Sequence, residues 1–153
     1  MSVIETRLAE LGVTLPDAPA PAANYVPWVI SGNTVYVSGQ ISQSPSGLIK
    51  GRIGADLDIE QGAAAARSCA ISLLAQLKAA TGGNIDRVVR LVKLVAFVNS
   101  TPEFTDQPKV VNGASDFMVE VLGDKGRHAR SAVSAASLPF GVAVEIEAIF
   151  EIG

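Results

Sequence analysis

The chain has 153 residues, of which 48% are hydrophobic and 18% charged, and its formal net charge is −3. A single cysteine excludes an intramolecular disulfide, and one cysteine with one histidine cannot form a Cys/His zinc site. The acidic balance argues against broad binding to nucleic acid, which needs several Lys or Arg contacts to phosphate. No apolar run approaches the ~20 residues of a membrane-spanning helix, and the first residues lack the basic region of a secretory signal. We therefore expect one cytoplasmic domain without a membrane partner, and the low charge content suggests that it forms oligomers.

The first 22 residues predict a short helix followed by an extended lead-in. Ser2 can cap the helix, Ile4 and Leu8 share one face, and Gly12 ends it. Three prolines between positions 16 and 21 exclude a helix or a central strand there. We expect the lead-in to lie on the surface, with residues 1–22 and residues 23–153 together forming one domain.

The remaining chain predicts a hairpin, a helix, a strand, a second helix and two final strands. The predicted strands are 25–30, 34–40, 87–99, 131–136 and 142–152, and the predicted helices are 59–80 and 108–122. Asp58 and Gln61 form a capping-box pattern before the first long helix, and Pro27 places the first strand at a sheet edge. The order of elements predicts an α+β fold with a single mixed sheet.

The last strand predicts which face of the sheet the helices cover. From Val142 to Ile152 every even-numbered residue is apolar, whereas Glu145, Glu147 and Glu151 take the other face. We therefore expect the helices on the even face. The strand at 87–99 is apolar on both faces, which would leave a mixed apolar patch exposed in a monomer. Packing against further copies of the chain would cover that patch.

Four polar residues are candidates for a functional site, and each has a simpler alternative. Arg130 could bind a substrate carboxylate through its guanidinium, or it could form a surface or interface salt bridge. Glu145 could orient water or accept a proton, or it could be a solvated or ion-paired carboxylate. Tyr25 and Ser38 share the hairpin and could face one site, or be an edge aromatic and an ordinary strand hydroxyl.

Three further residues have less distinctive surroundings in the sequence. Asn112 stands between Val111 and Gly113 in the second long helix, where it could cap or contact something. His128 lies in a charged loop, where a catalytic role is the less favoured interpretation. Cys69 lies among alanines, as is typical of a small buried apolar residue.

Three stretches together resemble the RidA/YjgF family, also described as L-PSP endoribonuclease-like, with a chorismate-mutase-like fold. The first is Tyr25 with VSGQI at 37–41, and the second is VKLVAFV at 92–98. The third and most specific is ARSAV at 129–133, followed by LP at 138–139 and VEIEA at 144–148. The resemblance covers about residues 23–152, and residues 1–21 look like the extension of a longer subgroup.

The resemblance implies a homotrimer with two main helices packed on one face of each sheet and with clefts between subunits. It implies cofactor-free and metal-free hydrolysis of 2-imino acids, or of enamines such as 2-aminoacrylate, to 2-keto acids and ammonia. By carry-over, Arg130 would bind the substrate carboxylate and Glu145 would position or activate water. The same carry-over gives the residues that would line the site: Tyr25, Ser38, Gly39, Asn112 and Ala132.

Two departures and two alternatives accompany the resemblance. Ala132 stands where many family members have cysteine, so no cysteine nucleophile is available there, and His128 stands where proline is common. One alternative is a protein that binds a small carboxylate without catalysis, which would need Arg130 but not Glu145. The other is an endoribonuclease, which the acidic charge and the absence of a basic aromatic stripe disfavour.

Overall fold

A computed structural model describes residues 2–153 and confirms the predicted α+β architecture. It has three α-helices, α1 (Val3–Glu10), α2 (Ile59–Ala80) and α3 (Gln107–Leu122). Its strands are β1 (Trp28–Ser31), β2 (Thr34–Ile41), β3 (Gln43–Ser44), β4 (Gly47–Leu48), β5 (Val88–Asn99), β6 (Ala129–Ala135) and β7 (Val144–Ile152). Five strands form a mixed sheet in the order β1-β2-β7-β5-β6, in which only the β5–β6 pair is parallel.

The predicted boundaries differ from the observed ones mainly at β1 and in the loop after β2. The first strand begins at Trp28 instead of Tyr25, because residues 22–25 form bends and Pro27 has no N–H to donate to a ladder. The chain expected to be a loop at 43–51 contains the short β3–β4 hairpin. The edge position of β1 is confirmed.

The capping groups predicted from the sequence start α1 and α2. The Ser2 hydroxyl accepts a hydrogen bond from the Glu5 N–H, and Asp58 and Gln61 form both bonds of a capping box. The side chain of Glu5 pairs with Lys78 on α2.

The hydrophobic core lies between the helices and one face of the sheet. Along β7 the even-numbered side chains are buried, whereas those of Glu145, Glu147, Ile149 and Glu151 are half-buried or exposed on the other face. The core includes Ile4 and Leu8 of α1, so the first helix belongs to the same core as α2 and α3.

The face of the sheet without helices, called here the open face, carries large apolar side chains. One cross-strand row consists of Val29, Tyr36 and Ile149, and Val133 lies at the other edge. Val29, Tyr36 and Val133 are 51%, 49% and 46% exposed. An apolar surface of this kind is characteristic of a contact between proteins. Within residues 2–153, no helix has both the length and the apolarity needed to cross a bilayer.

Gly113 allows α2 and α3 to pack with almost no space between their backbones. A Cβ atom at this position would lie 2.0 Å from the carbonyl oxygen of Ala63 on α2. A Cβ atom is fixed to the backbone of α3, and the atoms that it would meet are backbone atoms of α2. The clash therefore cannot be relieved by rotating a side chain.

We predict that Gly113→Ala destabilises the fold although alanine favours helix. Overpacking costs roughly 1–3 kcal/mol, and the propensity gain offsets only about 1 kcal/mol of it. Thermal unfolding should show a Tm lowered by about 2–4 °C per kcal/mol of net destabilisation. Asp116→Ala, at an exposed position of the same helix, is the control. Equal Tm values for the two variants would contradict the close approach of the helices.

Candidate functional site

Glu145 lies on the open face between two apolar side chains. In the cross-strand row it is flanked by Ile41 on β2 and Phe97 on β5. Its carboxylate rests against the backbone of Gly39, where the β2–β7 register shifts. A Cβ atom at Gly39 would lie 2.5 Å from Glu145 Oε2, so a side chain there would displace the carboxylate. Glycine at position 39 therefore makes room for the carboxylate of Glu145.

The surroundings of Glu145 favour its protonated form. Burial raises the pKa of this carboxyl above its ordinary value, and the negative charge of Glu147 on the same face raises the pKa further. Within residues 2–153, Glu145 accepts no hydrogen bond, and no Lys or Arg nitrogen lies within 4 Å of it. A carboxyl with a raised pKa and no cation beside it is suited to proton transfer.

The Glu145 carboxylate faces a cavity that offers about 60 Å³ to water-sized molecules. Tyr25, Gly39 and Pro139 also line this cavity. One wall is made by Pro19–Ala22, the end of the lead-in, called here the N-terminal wall. We call the group around the cavity the Glu145 half-site.

Hydrogen bonds at both ends hold the N-terminal wall in place. The Nε2 atom of Gln76, a fully buried residue on α2, donates to the carbonyl of Pro19 at 2.7 Å and to Gln40 Oε1 at 3.3 Å. At the other end of the wall, the Ala22 N–H donates to the Tyr25 hydroxyl at 3.3 Å. The sequence predicts an extended surface segment here, but it carries no signal that the segment borders the site.

Ser38 is next to this cavity but is not among the residues that line it. Its hydroxyl donates to the carbonyl of Val26 at 2.8 Å, and its N–H donates to the carbonyl of Pro27 at 2.9 Å. Ser38 thus ties the segment before β1 to β2, which helps to place Tyr25 at the cavity.

Arg130 lies on the opposite face of the sheet. Its cross-strand row contains Leu94 and Ala148, which are buried beneath the helices. The guanidinium donates from Nη1 to Ser115 Oγ and from Nη2 to the carbonyl of Pro108, both at 3.1 Å. No carboxylate within residues 2–153 lies within 4 Å of it. Within residues 2–153, Arg130 therefore forms no surface salt bridge.

The residues around Arg130 form a second group, called here the Arg130 half-site. Asn112 is exposed and lies four residues after Pro108 and three before Ser115, which places it on the same side of α3. Ala132 is two residues after Arg130 on β6, so its side chain is on the same face and packs partly against the core. His128 Nε2 lies 2.9 Å from Ser115 Oγ.

One chain does not bring the two half-sites together. Tyr25, Gly39 and Glu145 share a cavity, whereas Arg130, Asn112 and Ala132 do not line it. Glu145 pairs across the sheet with Phe97, and Arg130 with Leu94 three residues earlier, so their side chains point to opposite faces. Sequence reasoning did not find Ser115, because a serine within a helix has no distinguishing pattern.

Cys69 is the small buried apolar residue that the sequence predicts. Burial raises the pKa of its thiol far above the ordinary range, the charge of Glu145 adds to the effect, and its Sγ donates to the carbonyl of Val144. Such a thiol is inert as a nucleophile. In the part of the chain that the structure describes, no three His, Cys, Asp or Glu side chains are close enough to share a metal ion.

Comparison with known proteins gives relatives along the whole chain. Protein TCP17 of Trypanosoma cruzi is 50% identical over 97% of this chain and 94% of its own length. The crystal structure of the Agrobacterium tumefaciens protein Atu1372, described as of unknown function, is 51% identical with a TM-score of 0.92, covering 99% of this chain and 93% of that one. The rat protein named 2-iminobutanoate/2-iminopropanoate deaminase is 30% identical over 86% of this chain and 82% of its own length.

A protein-family model agrees with these similarities. The model described as "YjgF/chorismate_mutase-like, putative endoribonuclease" matches residues 5–150. The match includes both half-sites and the N-terminal wall. The chain therefore belongs to the RidA/YjgF family, as its ARSAV, LP and VEIEA stretches predict.

Proposed function

We propose that this protein hydrolyses 2-imino acids, or their enamine tautomers such as 2-aminoacrylate, to 2-keto acids and ammonia without a cofactor. The observation that carries the proposal is the Glu145 carboxyl, which has a raised pKa and lies in a small cavity without a cation beside it. The name of the rat relative supports this choice of substrate class.

In the proposed reaction, Arg130 binds the substrate carboxylate through two parallel N–H donors. The Glu145 carboxylate accepts a proton from water as the water oxygen attacks the iminium carbon and the C=N electron pair moves to nitrogen. Glu145 then donates that proton to the nitrogen of the carbinolamine. The C–N bond breaks as the Glu145 carboxylate accepts the hydroxyl proton and C=O forms. That proton passes to the released ammonia, so that iminium plus water becomes ketone plus ammonium.

We propose that the complete site forms between subunits of a homotrimer. Arg130 and Glu145 of one chain point to opposite faces, so a single chain offers a substrate only one of them at a time. A ring of heterologous contacts can place the Arg130 half-site of one subunit against the Glu145 half-site of the next. The exposed apolar side chains of the open face supply a surface for such contacts.

We predict that Arg130→Ala lowers kcat/KM on the order of 100-fold for 2-iminobutanoate generated in situ, because a bidentate charged contact is lost. The measurement is 2-ketobutyrate release, with size-exclusion chromatography to verify the assembly. Arg127→Ala is the control, since Arg127 is exposed and its side chain bonds only Asp124 within residues 2–153. Full activity of Arg130→Ala would refute the proposed function.

Glu145→Gln distinguishes hydrolysis from the alternative of a carboxylate-binding protein. We predict that this variant still binds 2-ketobutyrate in calorimetry but loses turnover, because an amide cannot accept the proton from water. Turnover equal to that of the wild type would exclude Glu145 as the base. Binding of 2-ketobutyrate by a wild-type protein that shows no turnover would favour the non-catalytic alternative.

The acid limb of the pH–rate profile should depend on Glu147. Glu145 must be ionised to act as a base, so the rate rises as pH increases through its raised pKa. We predict that Glu147→Gln moves this limb to lower pH, because a negative charge that raises the pKa of Glu145 is removed, and that added salt diminishes the difference. Glu151→Gln, farther along the same face, should leave the limb in place. An unchanged limb in Glu147→Gln would show that Glu145 is not the titrating group.

Mixing two inactive variants tests the site between subunits. Equal amounts of Arg130→Ala and Glu145→Gln chains are unfolded and refolded together. At each site, the subunit that supplies Arg130 has a one-in-two chance of carrying the intact arginine, and the subunit that supplies Glu145 has a one-in-two chance of carrying the intact glutamate. We therefore predict recovery of about a quarter of the wild-type activity. The control refolds each variant alone. No recovery from a mixed trimer would place Arg130 and Glu145 of the same chain in one site.

A further inference from the structure

The guanidinium of Arg130 is held by a series of hydrogen bonds that runs through Ser115 and His128 to the carbonyl of Gly126. Arg130 Nη1 donates to Ser115 Oγ at 3.1 Å, and Ser115 Oγ lies 2.9 Å from His128 Nε2. The other ring nitrogen of His128, Nδ1, faces the carbonyl of Gly126. The family carry-over assigns no role to Ser115 or His128.

The chemistry of these groups fixes the direction of each bond. A carbonyl oxygen can only accept, so His128 Nδ1 carries a hydrogen and donates it to Gly126. In the neutral imidazole Nε2 is then without a hydrogen and accepts the hydroxyl proton of Ser115. The lone pairs of Ser115 Oγ are left to accept from Arg130. Each donor in this series therefore has one acceptor. His128 orients the Ser115 hydroxyl by accepting its proton, and the oxygen of that hydroxyl accepts from Arg130.

His128 also keeps the Ser115 hydroxyl away from a competing partner. A serine within a helix commonly donates to the carbonyl four residues earlier, which here is Val111. The hydroxyl of Ser115 forms no such bond in this structure and pairs with His128 instead. His128 immediately precedes β6, and its Nε2 reaches Ser115 Oγ on α3, the same helix that Arg130 contacts.

The loop before β6 fixes the acceptor at the end of the series. Gly126 packs directly on α3, since a Cβ atom there would lie 2.3 Å from the carbonyl oxygen of Met118. The same helix supplies the second support of the guanidinium, the carbonyl of Pro108 at 3.1 Å from Nη2. Two of the five N–H donors of Arg130 are thus used by the protein, and three remain for a ligand.

We infer that Ser115 and His128 are positioning residues that hold the Arg130 guanidinium in the orientation that receives a substrate carboxylate. This inference rests on the proposed function, in which Arg130 binds that carboxylate. It assigns to the single histidine of the chain a role through Ser115 and Arg130, without contact with the substrate.

The test compares Ser115→Ala and His128→Ala with their conservative counterparts, Ser115→Thr and His128→Gln. Threonine retains the hydroxyl, and the amide oxygen of glutamine can accept its proton. For 2-iminobutanoate we expect the two alanine variants to raise KM about tenfold with kcat changed much less, because an oriented contact to the bound carboxylate is weakened. The conservative variants should restore KM to within about threefold of the wild type. Asp116→Ala, on the neighbouring residue of α3, is the control.

Two further measurements separate positioning from a merely structural role. Calorimetry with 2-ketobutyrate should show weaker binding by the same factor in the alanine variants, and thermal unfolding should show whether their folds are intact. A neutral imine that lacks the carboxylate should be hydrolysed by the alanine variants at the rate of the wild-type protein. Equal losses on both substrates would overturn the inference, since they would indicate general disruption.

The failure of this inference is distinguishable from the failure of the proposed function. If Arg130→Ala loses turnover while Ser115→Ala and His128→Ala retain the wild-type KM, the positioning role is wrong and the proposed function stands. If Arg130→Ala itself retains the wild-type kcat/KM for 2-iminobutanoate, the proposed function fails, and the positioning role fails with it.

Discussion

The strict alternation of β7 is the constraint on which the rest of the structure depends. This strand is the middle one of the five-stranded sheet, and its two neighbours are both antiparallel to it. A shift of one residue in its pairing would bring Glu145, Glu147 and Glu151 into the core and expose Phe150. The apolar core therefore specifies the register, and the register in turn fixes the carboxylate of Glu145 against Gly39.

The separation of the two charged residues prevents an ion pair within one chain. If Arg130 and Glu145 of one chain faced each other, they would form an ion pair, which would lower the pKa of the carboxyl and occupy the guanidinium. On opposite faces of the sheet, the guanidinium is held only by neutral acceptors and the carboxyl lies against the backbone of Gly39. Within one chain, therefore, neither charged group neutralises the other.

Some features could be predicted from the sequence because they depend on local patterns. The alternation of β7 indicated the face of Glu145, and the Asp58–Gln61 pattern located the start of α2. The face of Arg130 could not be predicted in this way, since it depends on the parallel register between β5 and β6, where Arg130 pairs with Leu94.

The N-terminal wall and the supports of Arg130 were missed for a related reason. Pro19 meets Gln76, and Ser115 meets His128, through contacts between elements that no periodicity in the sequence encodes. The resemblance to a family predicted roles for Arg130 and Glu145. It gave no information about Ser115 or about residues 19–22, which lie outside the stretches that carry it.

The position of the N-terminal wall has a consequence for how the chain reaches its final structure. Residues 19–22 leave the ribosome early, yet the cavity that they close is bounded on another side by Glu145 on the last strand. The N–H groups of Val3 and Ile4 likewise donate to the carboxylate of Asp86, which is more than 80 positions later in the chain. Contacts of such long sequence separation form slowly. The cavity is therefore completed only after synthesis of β7.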